Sequence, residues 1–267
     1  MTSDHLRIGF NLPFPVTLLV GRAGWPLTVE MEYGASGDQT TAPLLANCAQ
    51  SFVQGALYGL GGSETITPRL HDARDVEPSM AVREDAAKHR SVTVSAPVDA
   101  IDIRYVTVLL HKLYALSVDG VPVTRVAVDV PSGAETGHPV RVEPSAEPEF
   151  PGRWRSEGIS IESNLDTYAS SRLVDVTFLS EPSAQAISIL DRGCQLWASQ
   201  CIEGGYTSAT YDLGTYSLVP GRPRTWGVHY EWNLDKAFVD PGAFDGLTNV
   251  LQAFSHSVWP LSRLTIT

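Results

Sequence analysis

VTRVAV, residues 123–128, returns near the C-terminus as LSRLTI, residues 261–266. These alternating stretches end two segments, 27–130 and 173–266, whose hydrophobic patterns follow one order: strand, helix, strand, strand, helix, strand. The shared order predicts an internal duplication. The alternative is that two independent strand–helix–strand units resemble each other because they obey the same packing rules.

Four helices are predicted from apolar residues that recur three and four positions apart. In the third helix, Ile187, Leu190, Cys194 and Trp197 follow this spacing. Residues that favour helix ends flank the segments, with Asp or Ser before a helix and Gly or Pro after it. The predicted helices span residues 41–58, 100–116, 182–202 and 241–259, and the last three have Asp99, Ser180 and Asp240 as expected N-caps.

Apolar and polar residues alternate between the helices, which is typical of strands that bury one face. A further strand is predicted at residues 64–70, and the leading stretch at residues 8–20 adds a strand or a hairpin. The alternating segments are 27–33, 91–97, 123–130, 173–180, 210–219, 225–232 and 261–267.

The sequence therefore predicts an α+β fold of two tandem ferredoxin-like units, each with the element order βαββαβ. In that arrangement an antiparallel sheet carries both helices on one face and leaves the other face open. The N-terminal unit is expected at residues 1–131, with a polar insertion at residues 71–90. A Pro- and Gly-rich linker at residues 132–158 leads to the C-terminal unit at residues 159–267. The pattern leaves open whether the open faces are solvated or packed together.

The chain has 267 residues and a formal net charge of −11. This acidity disfavours nucleic acid as a partner, because phosphate binding needs clustered Lys and Arg. It permits a basic protein partner or a small-molecule ligand. No segment reaches the roughly 18 uninterrupted apolar residues of a membrane span, and the N-terminal stretch lacks a secretory signal pattern. A soluble cytoplasmic protein is therefore expected, with its oligomeric state left open.

Cys48, Cys194 and Cys201 are too few for a disulfide framework. All three fall on apolar stripes of predicted helices, where cysteine acts as a small hydrophobic residue. We therefore expect them to be buried, reduced and metal-free. The histidines show no zinc-site spacing, and the glycines at residues 59–62 lack the spacing of a phosphate loop. The sequence predicts no cofactor and no metal.

The period-two pattern assigns charged side chains to the open face of each sheet. These are Glu30, Glu32, Arg125 and Asp129 in the first unit, and Asp175, His229, Glu231 and Arg263 in the second. If the faces are solvated, the residues form ordinary cross-strand charge pairs. If the faces enclose a cleft, the second set is a candidate catalytic site for acid–base chemistry. In that hypothesis His229 carries the proton, Glu231 orients His229 or accepts the proton, and Arg263 holds substrate charge, with Asp175 on the same face.

Two classes of function remain. The first is a small-molecule-binding protein, or an enzyme of isomerase, cyclase or lyase type, with a pocket in a pseudo-dimeric ferredoxin-like scaffold. The second is a non-catalytic acidic protein-binding module, such as an inhibitor, an immunity-type protein or an assembly subunit that meets a basic partner. A closed pocket that holds His229 and Glu231 favours the first class, and solid cores with a flat acidic patch favour the second. The sequence does not decide whether the protein is an enzyme.

Overall fold

Two β-sheets of mixed strand orientation and four α-helices make up the described part of the computed structural model, which is an α+β fold. None of the described helices is long and apolar enough to cross a lipid bilayer. The structure describes residues 4–21, 24–34, 39–70, 76–84, 90–131, 137–155, 158–163, 171–207, 218–237 and 239–267.

The elements fall into two halves along the chain. The first half contains β1 (His5–Ile8), β2 (Val16–Val20), β3 (Leu27–Tyr33), α1 (Thr41–Leu57), β4 (Ser79–Glu84), β5 (Arg90–Ala96), a short 3₁₀ helix (Ile103–Tyr105), α2 (Val106–Val118), β6 (Val123–Val130) and β7 (His138–Pro144). The second half contains β8 (Ser160–Ser163), β9 (Ser171–Phe178), α3 (Ala184–Ile202), β10 (Val219–Pro220), β11 (Arg224–Trp226), β12 (His229–Asp235), α4 (Pro241–Ser257) and β13 (Leu261–Ile266).

All four predicted helices are present, but two of the expected N-caps are wrong. Asp102, not Asp99, accepts the capping hydrogen bond where the second helical segment begins. Ser183, not Ser180, caps α3. Asp240 caps α4 as predicted. In both corrected cases a residue of the expected type lies three positions further along the chain, so the helix begins at the later of two equivalent signals.

The strand between α1 and β5 is β4, and residues 64–70 form no strand. Ser63 and Ile66 exchange backbone hydrogen bonds in both directions, which folds this stretch into a turn. Pro68 has no N–H to donate to a strand ladder. β4 instead lies within residues 71–90, which the sequence assigns to a surface insertion.

The stretch at residues 225–232 forms two strands, and the prediction of one strand is wrong. β11 and β12 form a hairpin whose turn includes Gly227, with φ at 53° in the left-handed region that favours glycine. Because the chain reverses there, Trp226 pairs directly with His229 and lies on the same face of the sheet. A single strand over residues 225–232 would put Trp226 on the same face as Tyr230 and Trp232, towards the helices, and that expectation is wrong. The strand predicted at residues 210–219 lies almost wholly outside the described residues.

The first sheet has the strand order β1-β7-β2-β6-β3-β5-β4, and the second has the order β10-β12-β9-β13-β8 with β11 also paired to β12. The expectation of purely antiparallel sheets is wrong, because β1 is parallel to β7, β2 to β6 and β8 to β13. One strand of each parallel pair, β1, β2 or β8, precedes the predicted βαββαβ segment of its half. β7 lies within the predicted linker at residues 132–158 and joins the first sheet.

The helices of the two halves pack against each other between the sheets. α1 and α2 cover the inner face of the first sheet, and α1 also contacts α3. On the inner face of the second sheet, Trp232 meets Trp197 of α3, with ring centroids 5.8 Å apart, and Phe178 meets Phe254 of α4 at 6.3 Å. The layers are therefore sheet, helices, helices, sheet. The open face of each sheet points away from the other half.

Glycines let these helices approach closely. A Cβ atom added at Gly55 of α1 would meet the Tyr105 hydroxyl and the Leu60 side chain. A Cβ atom added at Gly193 of α3 would lie 2.8 Å from Val250, too short for any real contact. Larger residues at these positions would force the helices apart, because packed cores do not absorb extra methyl groups freely.

Polar side chains of α4 hold the segment that connects the halves. Asn249 donates hydrogen bonds to the carbonyl oxygens of Gly62 and Gly152, and its own oxygen accepts one from the Trp154 backbone N–H at 2.8 Å. Gln252 donates to the Trp154 carbonyl oxygen at 2.7 Å. The connection is therefore fixed to the helical layer at Trp154, the tryptophan that the sequence places in a polar stretch.

Candidate functional site

The four predicted catalytic residues share one face of the second sheet. Asp175 on β9, His229 and Glu231 on β12 and Arg263 on β13 alternate with buried side chains on their strands. Glu231 stands directly opposite Asp175, and Thr177 lies between His229 and Arg263 across the strands. The alternation therefore predicted their common face.

This face points outward, and its side chains bind other partners. The Arg263 guanidinium donates to the Glu162 carboxylate on β8 at 2.7 Å, and both side chains are more than half exposed. The His229 ring stacks on Trp226, with ring centroids 5.8 Å apart. Within the described residues, no hydrogen bond joins any two of the four predicted catalytic side chains. The expected catalytic trio is therefore not assembled by direct contacts.

Asp175 and Glu231 place two carboxylates next to each other on this outer face. Like charges directly opposite on antiparallel strands destabilise a sheet. Moreover, the Asp175 Oδ1 atom is buried and accepts no hydrogen bond from the described residues. Arg224 faces Glu231 from the other side, across the β11–β12 pair. The outer face thus offers adjacent carboxylates to an additional cationic group.

The outer face of the first sheet carries an ordinary charge pair. The Arg125 guanidinium donates to the Glu32 carboxylate at 2.8 Å. Partial burial raises the pKa of the Asp129 carboxyl above its usual value. Glu30 lies between Thr93 and Ala127 of the neighbouring strands. The Arg125–Glu32 pair matches the interpretation in which these charges pair across strands, whereas Glu30 and Asp129 stand opposite uncharged residues.

A concave site lies where α1, α2 and the end of α3 meet, and we call it the helix pocket. Its volume is about 600 Å³. Three apolar side chains on its wall, Leu44, Val118 and Ile202, are about half exposed although each is large and hydrophobic. The lining residues are Leu44, Asn47, Cys48, Lys112, Ala115, Leu116, Val118, Asp119, Ile202, Glu203, Gly204 and Thr207.

The floor of the helix pocket is a charged network centred on Lys112. This side chain is only 1% exposed, and its Nζ atom lies 2.6 Å from the Glu203 carboxylate. The same nitrogen donates to Ser51 Oγ at 2.5 Å and to Gln200 Oε1 at 3.0 Å. It also donates to the Cys48 carbonyl oxygen at 3.3 Å. These contacts join α1 and α2 of the first half to α3 of the second.

The network favours binding over nucleophilic chemistry. Ser51 lies beside an amine, but the Lys112 Nζ atom donates a hydrogen bond to Ser51 Oγ and pairs with the Glu203 carboxylate, so it is not placed to accept the Ser51 proton. Burial raises the pKa of the Cys48 thiol to about 11, so it stays protonated at neutral pH. Cys48, Cys194 and Cys201 are all buried and free of disulfides, as predicted.

His111, the neighbour of Lys112, has a structural role. Its Nε2 atom accepts a hydrogen bond from the Gly9 backbone N–H at 2.9 Å. Burial lowers the pKa of its imidazole to about 3, so the ring is neutral at physiological pH. His111 therefore holds the leading segment on α2 as a neutral imidazole. Among the described residues, no group of three or more His, Cys, Asp or Glu side chains has the arrangement of a metal site.

This pocket was not predicted from the sequence. Lys112 sits within α2, whose residues from Val106 to Leu113 are all buried. A lysine inside a helix that is apolar on all sides is the signal that could have found it, because such a charge needs a partner. The partner could not have been found in this way, since Glu203 lies at the end of a helix in the other half.

Comparisons with known proteins give no family. No protein-family model matches the chain, and no curated protein matches it. Solved structures that align with it include pitrilysin, at 10% identity and a TM-score of 0.21, and a putative M16-like peptidase from Alicyclobacillus acidocaldarius, at 12% and 0.19. A conserved protein from Enterococcus faecalis aligns at 10% identity and a TM-score of 0.18.

These alignments cover 89%, 93% and 90% of this chain, in the same order. The chain spans 37% of the length of pitrilysin, 83% of the putative peptidase and 76% of the Enterococcus protein. At such TM-scores the likeness carries no inference about activity.

The charge at the pocket floor makes a testable prediction about stability. Glu203→Gln keeps an oxygen acceptor but removes the charge that neutralises buried Lys112. We expect it to lower the free energy of unfolding by about 1–3 kcal/mol, because buried Lys112 loses its counter-charge, while water partly screens Glu203, whose side chain is 43% exposed. Urea unfolding followed by circular dichroism measures the change.

Glu162→Gln is the matched control. Glu162 lies 2.7 Å from the guanidinium group of Arg263, and the Arg263 side chain is 54% exposed. This change should cost less than about 1 kcal/mol, because water screens a surface pair. Equal and small losses in the two variants would contradict the buried-charge account of Lys112.

Proposed function

We propose that this protein binds a small, mainly apolar molecule in the helix pocket. The observation that carries the proposal is the convergence of three exposed apolar side chains, Leu44, Val118 and Ile202, around a cavity with a buried charge network at its floor. Soluble proteins rarely leave large apolar side chains exposed together without a use for them. The volume of about 600 Å³ lies within the range of small-molecule sites.

The charges of the pocket narrow the class of ligand. Lys112 already donates to Glu203, Ser51 and Gln200, so it has no hydrogen free for an anion. Glu203 and Asp119 contribute carboxylates to the lining. An apolar molecule with one hydrogen-bond donor, such as an alcohol or an amine, fits these groups better than a carboxylate or a phosphate does.

We further infer that the halves are copies of one ferredoxin-like unit. The order β6-β3-β5-β4 in the first sheet corresponds to β13-β9-β12-β10 in the second. A leading strand is parallel to the last strand in each case, β2 beside β6 and β8 beside β13. An experimental structure in which the halves superpose only with changed strand order would contradict this inference.

Matched details at the helix ends support the duplication. α1 and α3 are each followed by a glycine with positive φ, Gly59 at 91° and Gly204 at 82°. Aligning these glycines puts Tyr58 in the place of Glu203. Aligning Leu110 and Leu113 of the second helix with Leu251 and Phe254 of the fourth puts Ala253 in the place of Lys112. A smaller cavity of about 410 Å³ is lined by Tyr58 and by Ile189 and Arg192 of α3, but by no residue of α4, the counterpart of α2. The Lys–Glu network therefore belongs to one copy, as expected for a duplicated unit with one specialised pocket.

A fluorescent probe of the proposed class tests the pocket. N-phenyl-1-naphthylamine is apolar, has a single N–H donor, and brightens when it leaves water. We expect saturable binding by the native protein, and we expect Ile202→Asp to weaken it by about 10-fold or more, because the change puts a charge on the apolar wall.

The matched control is Leu179→Asp, because Leu179 is 66% exposed and Ile202 is 56% exposed. Leu179 follows β9 in the second half and does not line the pocket. Both variants should keep the melting temperature of the native protein. The proposal fails if the probe does not saturate, or if the two substitutions weaken it equally.

The acid–base hypothesis for His229, Glu231, Arg263 and Asp175 stays a prediction. Its support is their common sheet face. Against it stand the outward direction of that face and the pairing of Arg263 with Glu162. This surface fits the alternative function better than the acid–base one. In the alternative, the surface binds a basic protein segment. The adjacent carboxylates of Asp175 and Glu231 support that alternative.

Hexa-arginine, labelled and followed by fluorescence anisotropy, tests the basic-partner alternative. We expect Asp175→Asn with Glu231→Gln to weaken binding about 10-fold, because each lost close charge contact contributes on the order of 1 kcal/mol. The control pair Asp129→Asn with Glu30→Gln removes the same charge from the other sheet. Equal weakening by both pairs would show attraction to net charge alone and would overturn this alternative.

A further inference from the structure

The smaller cavity lies between α1, α3 and the residues that lead into β4, and we call it the polar cavity. Its volume of about 410 Å³ is within the range of small-molecule sites. It shares no lining residue with the helix pocket. Each of the three segments contributes polar side chains to it, and these are Gln50, Gln54, Tyr58, Glu77, Ser188 and Arg192.

The polar cavity and the helix pocket occupy matching places on α1 and α3. The glycine alignment that puts Tyr58 in the place of Glu203 also puts Arg192 in the place of Asn47. Tyr58 and Arg192 line the polar cavity, whereas Glu203 and Asn47 line the helix pocket. Each cavity therefore lies between the end of one helix and the side of the other. Their charges differ, so we expect the two cavities to take different ligands.

The polar groups of this cavity are not used within the described part of the protein. The side chains of Arg192 and Glu77 form no hydrogen bond or ion pair with any described residue. Tyr58 is only 5% exposed, yet its hydroxyl has no hydrogen-bond partner among those residues either. Burial raises the pKa of this hydroxyl, so it stays protonated and can donate. A buried hydroxyl without a protein partner is expected to meet water or a ligand.

Opposite charges in the polar cavity limit the ligands that it can hold. Arg192 on α3 and Glu77 before β4 line the same space without pairing with each other. A ligand that fills the cavity removes water from both groups, and each charge then needs a partner. A purely anionic ligand would leave Glu77 unpaired, and a purely cationic one would leave Arg192 unpaired. A zwitterion satisfies both.

We propose that the polar cavity binds a free amino acid, with its carboxylate on Arg192 and its ammonium group on Glu77. The planar guanidinium offers two parallel N–H donors, which match the two oxygens of a carboxylate. Gln50 and Gln54 lie one helical turn apart on α1 and offer amide donors and acceptors to the rest of the molecule. The site is separate from the apolar site proposed above.

Isothermal titration calorimetry with each standard L-amino acid in turn tests the site. We expect at least one of them to bind with a saturable, one-site isotherm. Its N-acetyl form lacks the ammonium group, and its carboxamide form lacks the carboxylate. Each of these forms should bind about 10-fold more weakly or worse, because each leaves one charge of the cavity unpaired.

Substitutions at the two charges test the assigned contacts. Arg192→Gln and Glu77→Gln should each weaken the amino acid about 10-fold or more and keep the melting temperature, because both side chains are exposed. Arg222→Gln is the matched control, since Arg222 is also exposed but does not line the polar cavity. The proposal is overturned if no amino acid binds, or if the N-acetyl form binds as tightly as the free one. Equal weakening by Arg222→Gln and Arg192→Gln would also overturn it.

Discussion

The close approach of α1 and α3 is the constraint on which the rest of the structure depends. The helices of both halves must pack against each other between the two sheets. Gly55 of α1 leaves room for Tyr105, and Gly193 of α3 leaves room for Val250 of α4 and for Tyr58 at the end of α1. Once the helices occupy the inside, each sheet keeps an outer face that the other half cannot cover. This single arrangement explains why the charged side chains of β9, β12 and β13 point outward and why the uncovered apolar wall of the helix pocket lies between helices.

The buried Lys112 follows from the same arrangement. A lysine in a helix that is buried on all sides needs a counter-charge, and the layer brings the end of α3 against α2, where Glu203 supplies it. The negative charge of Glu203 at the C-terminus of α3 interacts unfavourably with the helix dipole. The pairing of Glu203 with Lys112 offsets that cost. The network therefore has a structural role in joining the halves, and the cavity above it is a consequence of helix ends that do not meet completely.

Local signals predicted the helices well because apolar spacing and caps act over a few residues. The hairpin at Gly227 was not predicted, because an alternating pattern does not show that the chain reverses there. After the reversal, the residues that pair across the hairpin lie on the same face of the sheet. β4 was missed because its side chains are exposed and its pattern is short. The common face of His229 and Glu231 was predicted from alternation alone. The contacts of Lys112 could not be, since they join residues about 60 to 90 positions apart in the chain.

Thermal unfolding followed by tryptophan fluorescence tests the shared helical layer most directly. In a Trp25→Phe background, every remaining tryptophan lies at or after residue 154. Gly55→Val in the first half should then lower the tryptophan-monitored melting temperature by about 2–8 °C, because it forces α1 away from its neighbours. Asn47→Val, at an exposed position of the same helix, should not. A fluorescence transition that Gly55→Val leaves unchanged, while circular dichroism shows a separate earlier transition, would contradict the account.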